Sequence, residues 1–286
     1  MVKKNNLLTH DYIDNGKENA VIMLHAFGGN KRVFKKQVDS LSTKYNLILV
    51  DLNGHGESMK NPLHKIKNPS FEYVVEEIID IMDEYRIEKA HFVGLSLGTM
   101  VCAVMAENYP DRMLSISSMG DATNSSLKFK LLIPVGWVSQ FIMHYKVTYL
   151  FFAHMLIPGK KHKVSRKFLI REAMKIGHKE FFAWYNMMAK FYKMHPVTNF
   201  IGRVPTFYIM GEYDSMFINA CKKTHEINLW SKFSMVEGAG HLVKIDSVDE
   251  VNRELLEFLG KMDIQKRPAR EIEVKYKREK NLSAAF

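Results

Sequence analysis

Residues 90–109, AHFVGLSLGTMVCAVMAENY, contain the most informative pattern in the sequence. It begins as a short apolar run, passes through Gly94-Leu95-Ser96-Leu97-Gly98, and continues as a helix-like segment. A serine between two glycines at a strand-to-helix turn is held in a strained backbone, and the glycines leave room for the neighbouring strand and helix. The pentapeptide alone is weak evidence, since it also occurs in ordinary tight turns. Its position predicts that Ser96 is a nucleophile.

Four more short apolar runs, on either side of this stretch, are typical of strands buried on both faces of a parallel sheet. They are residues 20–25, 45–51, 113–119 and 205–210. Residues 70–85 and 249–259 place their apolar side chains on one helical stripe, with Ser70 as the predicted N-cap of the first. Alternating strands and helices predict an α/β fold with a mostly parallel central sheet.

The alternation stops between Asn124 and Pro196, where basic and aromatic helical patterns replace it. We therefore predict an α/β core formed by residues 1–124 and 197–260. Residues 125–196 are predicted to be an inserted helical cap, and residues 261–286 a basic C-terminal tail.

Positive charge is concentrated in the predicted cap and the predicted tail. Residues 125–200 carry 13 Lys and Arg against two Glu, and residues 261–286 carry eight basic and four acidic residues, within a total of +10. No RNA-recognition, KH or zinc-finger signature is present, so we expect no nucleic-acid partner. Basic residues interleaved with aromatic ones suit an amphipathic lid over an apolar pocket, or peripheral contact of cap and tail with a membrane surface. A solvated basic face with an apolar underside fits equally well.

The chain has 47% hydrophobic residues, enough for a packed core, and only two cysteines. Few cysteines favour a cytoplasmic setting over a disulfide-rich secreted one. The N-terminal residues lack the apolar run of a signal peptide. The longest apolar stretch, residues 131–157, is interrupted by polar side chains, so we expect it not to cross a membrane.

A serine nucleophile needs a base, and the base needs a carboxylate that orients it. Asp214 follows the strand-like run 205–210, and His241 follows the strand-like residues 233–237. Both are therefore expected at the carboxyl edge of the sheet, where open α/β sheets build their sites. The order Ser96, Asp214, His241 predicts a catalytic triad.

Acyl transfer also needs two N–H groups to hold the oxyanion. The N–H of Leu97 lies directly after the nucleophile, where the new helix begins. The loop His25-Ala26-Phe27-Gly28-Gly29 follows the strand-like run 20–25, and its Phe27 N–H is the expected second donor. We expect His25 and His55 to be structural.

With these residues in place, the chain resembles the α/β-hydrolase superfamily. The matching motifs are HAFGG (25–29), DLNGHGES (51–58), GLSLG (94–98), GEYD (211–214) and GAGH (238–241). The resemblance implies an α/β-hydrolase fold with a helical cap and the triad above. Some members take the acid from the preceding strand, which makes Asp121 the reserve acid. Members that cleave carbon–halogen bonds or open epoxides have Asp as the nucleophile, and Ser96 argues against those reactions.

The leading hypothesis is a serine hydrolase that cleaves carboxylic esters with a hydrophobic acyl or alcohol part through an acyl-enzyme. The triad would equally serve a thioesterase or a C–C bond hydrolase, and a hydrolase-like small-molecule receptor or signalling protein with slow turnover is an alternative from another class. We expect Trp137, Phe141, Tyr145 and Trp184 to line the substrate pocket. No metal cluster and no cofactor motif occurs in the sequence, so no cofactor is expected.

Overall fold

The computed structural model describes residues 7–124 and 126–264. In this part of the chain seven strands form one sheet in the order β1-β3-β2-β4-β5-β6-β7. The strands are β1 (His10–Ile13), β2 (Ala20–Leu24), β3 (Asn46–Val50), β4 (Ala90–Leu95), β5 (Met113–Met119), β6 (Thr206–Gly211) and β7 (Ser231–Val236). Strand β1 is antiparallel to β3, and all the other neighbours are parallel.

Burial explains why the strands were readable from sequence. Every residue of β2, β3, β4 and β6 is buried, as expected for strands covered by helices on both faces. The five predicted runs match the observed strands to within one residue at either end. Strand β1 was not predicted, because it is only four residues long, half-exposed and polar at two of its positions.

The helices of the core cover the two faces of this sheet. They are α1 (Lys35–Leu41), α2 (Phe71–Glu84), α3 (Leu97–Asn108), α8 (Ile218–Ile227), α9 (Val243–Asp246) and α10 (Val248–Ile264). Ser70 caps α2 as predicted, since its Oγ accepts the Tyr73 N–H at 3.2 Å. The predicted core boundary at residue 260 is wrong because α10 continues to Ile264. The rest of the predicted tail, residues 265–286, lies outside the described residues.

Four helices between β5 and β6 form the cap, within the predicted interval 125–196. They are α4 (Leu127–Ile142), α5 (Tyr145–Leu156), α6 (Lys163–Ala173) and α7 (His178–Met194). Several hydrogen bonds fasten the cap to the core, and two of them lie at opposite ends of α7. The Glu180 carboxylate accepts the Leu63 N–H at 2.8 Å, and the Tyr192 hydroxyl donates to the Ala122 carbonyl at 3.1 Å. In the described ranges, no helix has the length and apolar character needed to span a membrane.

The strand order creates the position for a site. From β2 the chain runs to β3 on one side of β2, and then to β4 on the other side. Loops that leave β2 and β4 in opposite directions open a crevice at the carboxyl edge of the sheet. Leu24 pairs with Gly94 in this parallel register, so the loop after β2 and the turn after β4 lie side by side.

Candidate active site

Ser96 occupies a strained turn between β4 and α3. Its φ of +51° and ψ of −109° are unusual for a residue with a side chain, and such a backbone costs on the order of 1–3 kcal/mol. Hydrogen bonds hold it there, since the Ser96 N–H donates to the Met119 carbonyl at 3.0 Å and the Ser96 carbonyl accepts the Thr99 N–H at 2.8 Å. A Cβ on Gly98 would lie 2.1 Å from the Leu24 carbonyl oxygen, so this position needs glycine.

His241 and Asp214 form a buried pair at the same edge of the sheet. His241 Nδ1 donates to Asp214 Oδ2 at 2.7 Å, and the two side chains are 1% and 0% exposed. His241 Nε2 is buried and has no hydrogen-bond partner among the described residues. His241 and Ser96 line the same pocket. This is the arrangement that a base oriented by a carboxylate requires.

Asp121, the reserve acid, lies behind this pair and binds other partners. Its carboxylate accepts the hydroxyl groups of Ser118 at 2.6 Å and Thr123 at 2.8 Å. Burial raises the pKa of Asp121, and these two hydrogen bonds oppose that shift. Among the described residues, the hydrogen-bond partner of the His241 imidazole is Asp214, and the side chains that bond the Asp121 carboxylate are Ser118 and Thr123.

Two residues that line the pocket beside Ser96 have main-chain N–H groups that could hold an oxyanion. The amides of Phe27 and Leu97 donate no hydrogen bond within the described part of the chain, and both residues line the pocket. Leu97 is the first residue of the twelve-residue helix α3, where the helix dipole favours negative charge. The Phe27 carbonyl accepts the Tyr149 hydroxyl of the cap at 3.1 Å, which fixes the loop.

Two buried histidines form hydrogen bonds with the loop after β2. His25 Nδ1 donates to the Ala26 carbonyl at 2.8 Å, and His25 Nε2 accepts the Leu52 N–H at 3.0 Å. His55 Nε2 accepts the Gly28 N–H at 3.1 Å. Burial lowers the pKa of His25 to about 4 and that of His55 to about 3. Both rings are therefore neutral at pH 7 and structural, as predicted.

The rest of the pocket wall is apolar and comes mainly from the cap. Each contributing helix presents one stripe of side chains at helical spacing. The stripes are Phe129, Leu132 and Ile133 on α4, Tyr149, Phe152 and Leu156 on α5, and Phe181, Tyr185, Met188 and Tyr192 on α7. Apart from His241, the lining contains no ionisable acid or base except tyrosine. The cavity therefore suits a neutral, apolar group.

Comparisons with known proteins agree with this architecture. A family model described as the alpha/beta hydrolase fold matches residues 19–143, which include the turn around Ser96. The chain has the α/β-hydrolase fold. MenH from S. aureus superposes with a TM-score of 0.71 at 18% identity, covering 89% of this chain and 98% of that one. An esterase from Exiguobacterium antarcticum superposes with a TM-score of 0.75 at 14% identity, over 88% and 95% of the two chains.

Among the curated proteins that are similar to this chain, 3-oxoadipate enol-lactonase 1 of Acinetobacter baylyi is 31% identical to it over 125 residues. That alignment covers 43% of this chain and 43% of the lactonase. The chain spans less than two thirds of the length of the first curated relatives that it matches. The comparisons therefore establish the α/β-hydrolase fold, and esterases and a lactonase are among the similar proteins.

The prediction that Trp137, Phe141, Tyr145 and Trp184 line the pocket is wrong, because none of the four is among the described lining residues. Trp137 and Phe141 are 53% and 69% exposed. Tyr145 is buried, and its hydroxyl donates to the Met174 carbonyl at 2.9 Å. Trp184 is fully buried against the core, and its Nε1 donates to the Asn53 carbonyl at 2.9 Å.

The physical reason is helical phase. On α7, Trp184 and Tyr185 are neighbours in sequence, but consecutive residues of a helix point about 100° apart. Tyr185 shares the pocket stripe with Phe181 and Met188, whereas Trp184 packs on Phe71 of the core. Both sides of α7 are apolar, so aromatic content alone does not reveal which side lines the pocket. The spacing of residues 181, 185, 188 and 192 was the available signal.

Proposed function

We propose that this protein is a serine hydrolase that cleaves carboxylic esters with an apolar acyl or alcohol part, through an acyl-enzyme. The observation that carries the proposal is the His241–Asp214 pair, whose unpartnered Nε2 borders the pocket that also contains Ser96. Asp214 fixes the tautomer of the ring, because Nδ1 must carry the proton that it donates. Nε2 is then left unprotonated and able to accept a proton.

In the first half of the reaction, His241 Nε2 takes the proton of the Ser96 hydroxyl as the oxygen attacks the ester carbonyl. Asp214 stabilises the imidazolium that forms. The amides of Phe27 and Leu97 donate to the oxyanion, which develops where they have no competing partner. His241 then protonates the leaving alcohol, and the acyl group stays on Ser96.

In the second half, water enters and gives a proton to His241 as it attacks the acyl-enzyme. The carboxylic acid leaves, and Ser96 recovers its proton from His241. The strained backbone at Ser96 supports this cycle, because it presents the hydroxyl at the sheet edge next to the first turn of α3.

The apolar stripes of the cap support an ester whose acyl or alcohol part is uncharged. A substrate with a carboxylate deep in the pocket would lose its hydration without gaining a cationic partner there. Relatives named as an enol-lactonase and as a pimeloyl-[acyl-carrier protein] methyl ester esterase are consistent with ester chemistry on this scaffold.

The test is steady-state kinetics on a series of p-nitrophenyl esters, from acetate to octanoate, for the native protein and Ser96→Ala. We expect kcat/KM to rise with acyl length in the native protein. We expect kcat to fall about a million-fold in the variant, as in other enzymes that lose a triad serine. A folded Ser96→Ala protein with native turnover would refute the assignment, and a preference for acetate would refute the apolar pocket.

A further inference from the structure

The surface of the cap that faces away from the pocket is unusual. Of the twenty large apolar side chains that are exposed in the described part of the chain, twelve lie between Leu127 and Met155. We call this surface, the solvent side of α4 and α5, the cap face. Its members include Leu131, Trp137, Phe141, Ile142, Leu150 and Phe151.

Helical spacing makes the cap face continuous. On α4, residues 127, 131, 138 and 142 follow the rise of the helix along one side, opposite the pocket stripe that contains Phe129 and Ile133. Phe141, Ile142 and Met143 are exposed at the junction with α5, and Val147, Leu150 and Phe151 continue the surface. A helix that is apolar on both sides is normally covered on both sides.

The charges around the cap face are of one sign. No Asp or Glu occurs from residue 122 to residue 171, and that interval contains nine Lys and Arg. Lys128, Lys130 and Lys146 lie on α4 and α5 themselves and are exposed. Among the described residues, no ion pair involves these three lysines.

We propose that the cap face docks on the surface of an anionic lipid bilayer. Aromatic and aliphatic side chains would insert at the level of the headgroups, and the lysines would contact the anionic headgroups. A second copy of the chain is a poorer occupant. A two-fold interface places the same patch against itself, so the lysines of one copy would face those of the other without any carboxylate between them.

Docking would also place the pocket next to the lipid. The helices that form the cap face are the ones whose opposite stripes line the pocket, and Met155 belongs to both surfaces. An apolar ester dissolved in the bilayer could therefore reach Ser96 by passing between α4 and α5, without crossing water. This part of the inference rests on the proposed function, whereas docking itself does not.

The test of docking is co-sedimentation of the full chain with vesicles of phosphatidylcholine alone, or with about 30 mol % phosphatidylserine added. We expect binding to the anionic vesicles and weakening of that binding as salt rises. Trp137→Ser/Phe141→Ser should lower the partition coefficient at least tenfold, about the loss expected when two half-exposed aromatic side chains no longer insert. Lys128→Gln/Lys130→Gln/Lys146→Gln should lower it by about tenfold or more at low salt.

Matched controls lie on the core. Leu229 is 63% exposed between α8 and β7, and Lys222 and Lys223 are exposed on α8. Leu229→Ser and Lys222→Gln/Lys223→Gln should bind vesicles as the native protein does. Every protein in the set keeps residues 265–286, so their contribution is constant.

Three results would overturn docking: no binding to anionic vesicles, equal binding by the native protein and Trp137→Ser/Phe141→Ser, or a dimer in solution that this variant dissociates. The last would assign the cap face to a second copy. Entry from the bilayer has a separate readout. Trp137→Ser/Phe141→Ser should lose activity on a vesicle-borne ester and keep native activity on soluble p-nitrophenyl acetate. If the proposed function is wrong and docking is right, the native protein will hydrolyse neither ester but will still sediment with anionic vesicles.

Discussion

The core and the cap differ in whether the outer sides of their helices are apolar. In the core, α2 buries Val74, Ile78 and Met82 against the sheet and exposes Glu76 to water. In the cap, α4 lines the pocket with Phe129 and exposes Phe141 on its other side. The outer side of α2 is therefore polar, whereas the outer side of the cap is apolar. The residues that we propose for catalysis lie at the carboxyl edge of the core sheet. The residues that we propose to select the substrate and to bind the membrane lie on the cap.

The largest expected effect tests the core edge. Replacing Asp214 by Asn removes the charge that orients His241 and stabilises the imidazolium, so we expect kcat on a soluble ester to fall about ten-thousand-fold. Asp121→Asn is the matched variant, because Asp121 binds Ser118 and Thr123 instead of His241. It should lower kcat by less than about tenfold. Equal losses in the two variants would mean that the acid has been misassigned.

A pair of glycines compares packing at the core edge with packing in the cap. Gly98→Ala forces a Cβ against the Leu24 carbonyl oxygen, whereas a Cβ at Gly177 in the cap meets no atom within 4 Å. We expect Gly98→Ala to lower the free energy of unfolding by about 3 kcal/mol and to impair activity. Gly177→Ala should cost less than about 0.5 kcal/mol. Urea denaturation measures both, and a stable, active Gly98→Ala protein would contradict the tight turn.

The buried histidines predict how the core responds to acid. The pKa of folded His55 lies near 3, below its unfolded value of about 6.5, so the folded state binds fewer protons in between. The free energy of unfolding should therefore fall as pH drops below about 6.5. In His55→Gln this dependence should be shallower by about 1.4 kcal/mol per pH unit, as measured by urea denaturation down to about pH 4.5. An unchanged slope would show that the ring is not buried as a neutral group.

The smallest effect distinguishes the two sides of α5. Phe152 lines the pocket, whereas its neighbour Phe151 is 46% exposed on the cap face. Phe152→Ala should raise KM for p-nitrophenyl octanoate about tenfold with little change for the acetate. Phe151→Ala should leave both esters unchanged when they are in solution. If Phe151→Ala had the larger effect, the helical phase assigned to α5 would be wrong.

Much of the core could be predicted from sequence because its signals are local. Strand β4 is buried on both faces and is apolar except at His91, and Gly98 is required by one backbone contact with Leu24. The positions of Ser96, Asp214 and His241 follow from the ends of their strands. Strand β1 gave no such signal, since it pairs on one side only and is half-exposed.

The sequence is enough to recognise the cap, but it does not show which side of each cap helix lines the pocket. Its helices are apolar on more than one side, so neither Trp137 nor Trp184 could be assigned to the pocket or to another surface from composition. Contacts distant in sequence decide the phase. The Tyr185 hydroxyl, for example, donates to the Ile133 carbonyl at 2.5 Å and fastens α4 to α7. Such a contact depends on how four helices pack together, which no local pattern records.

The proposed chemistry requires Ser96 to be a nucleophile that His241 activates. The most direct measurement is intact-protein mass spectrometry after treatment with a fluorophosphonate, for the native chain and folded Ser96→Ala. We predict one covalent adduct on the native chain and none on the variant. An unmodified native protein, or an adduct that persists in Ser96→Ala, would contradict the assignment of Ser96 as the activated nucleophile.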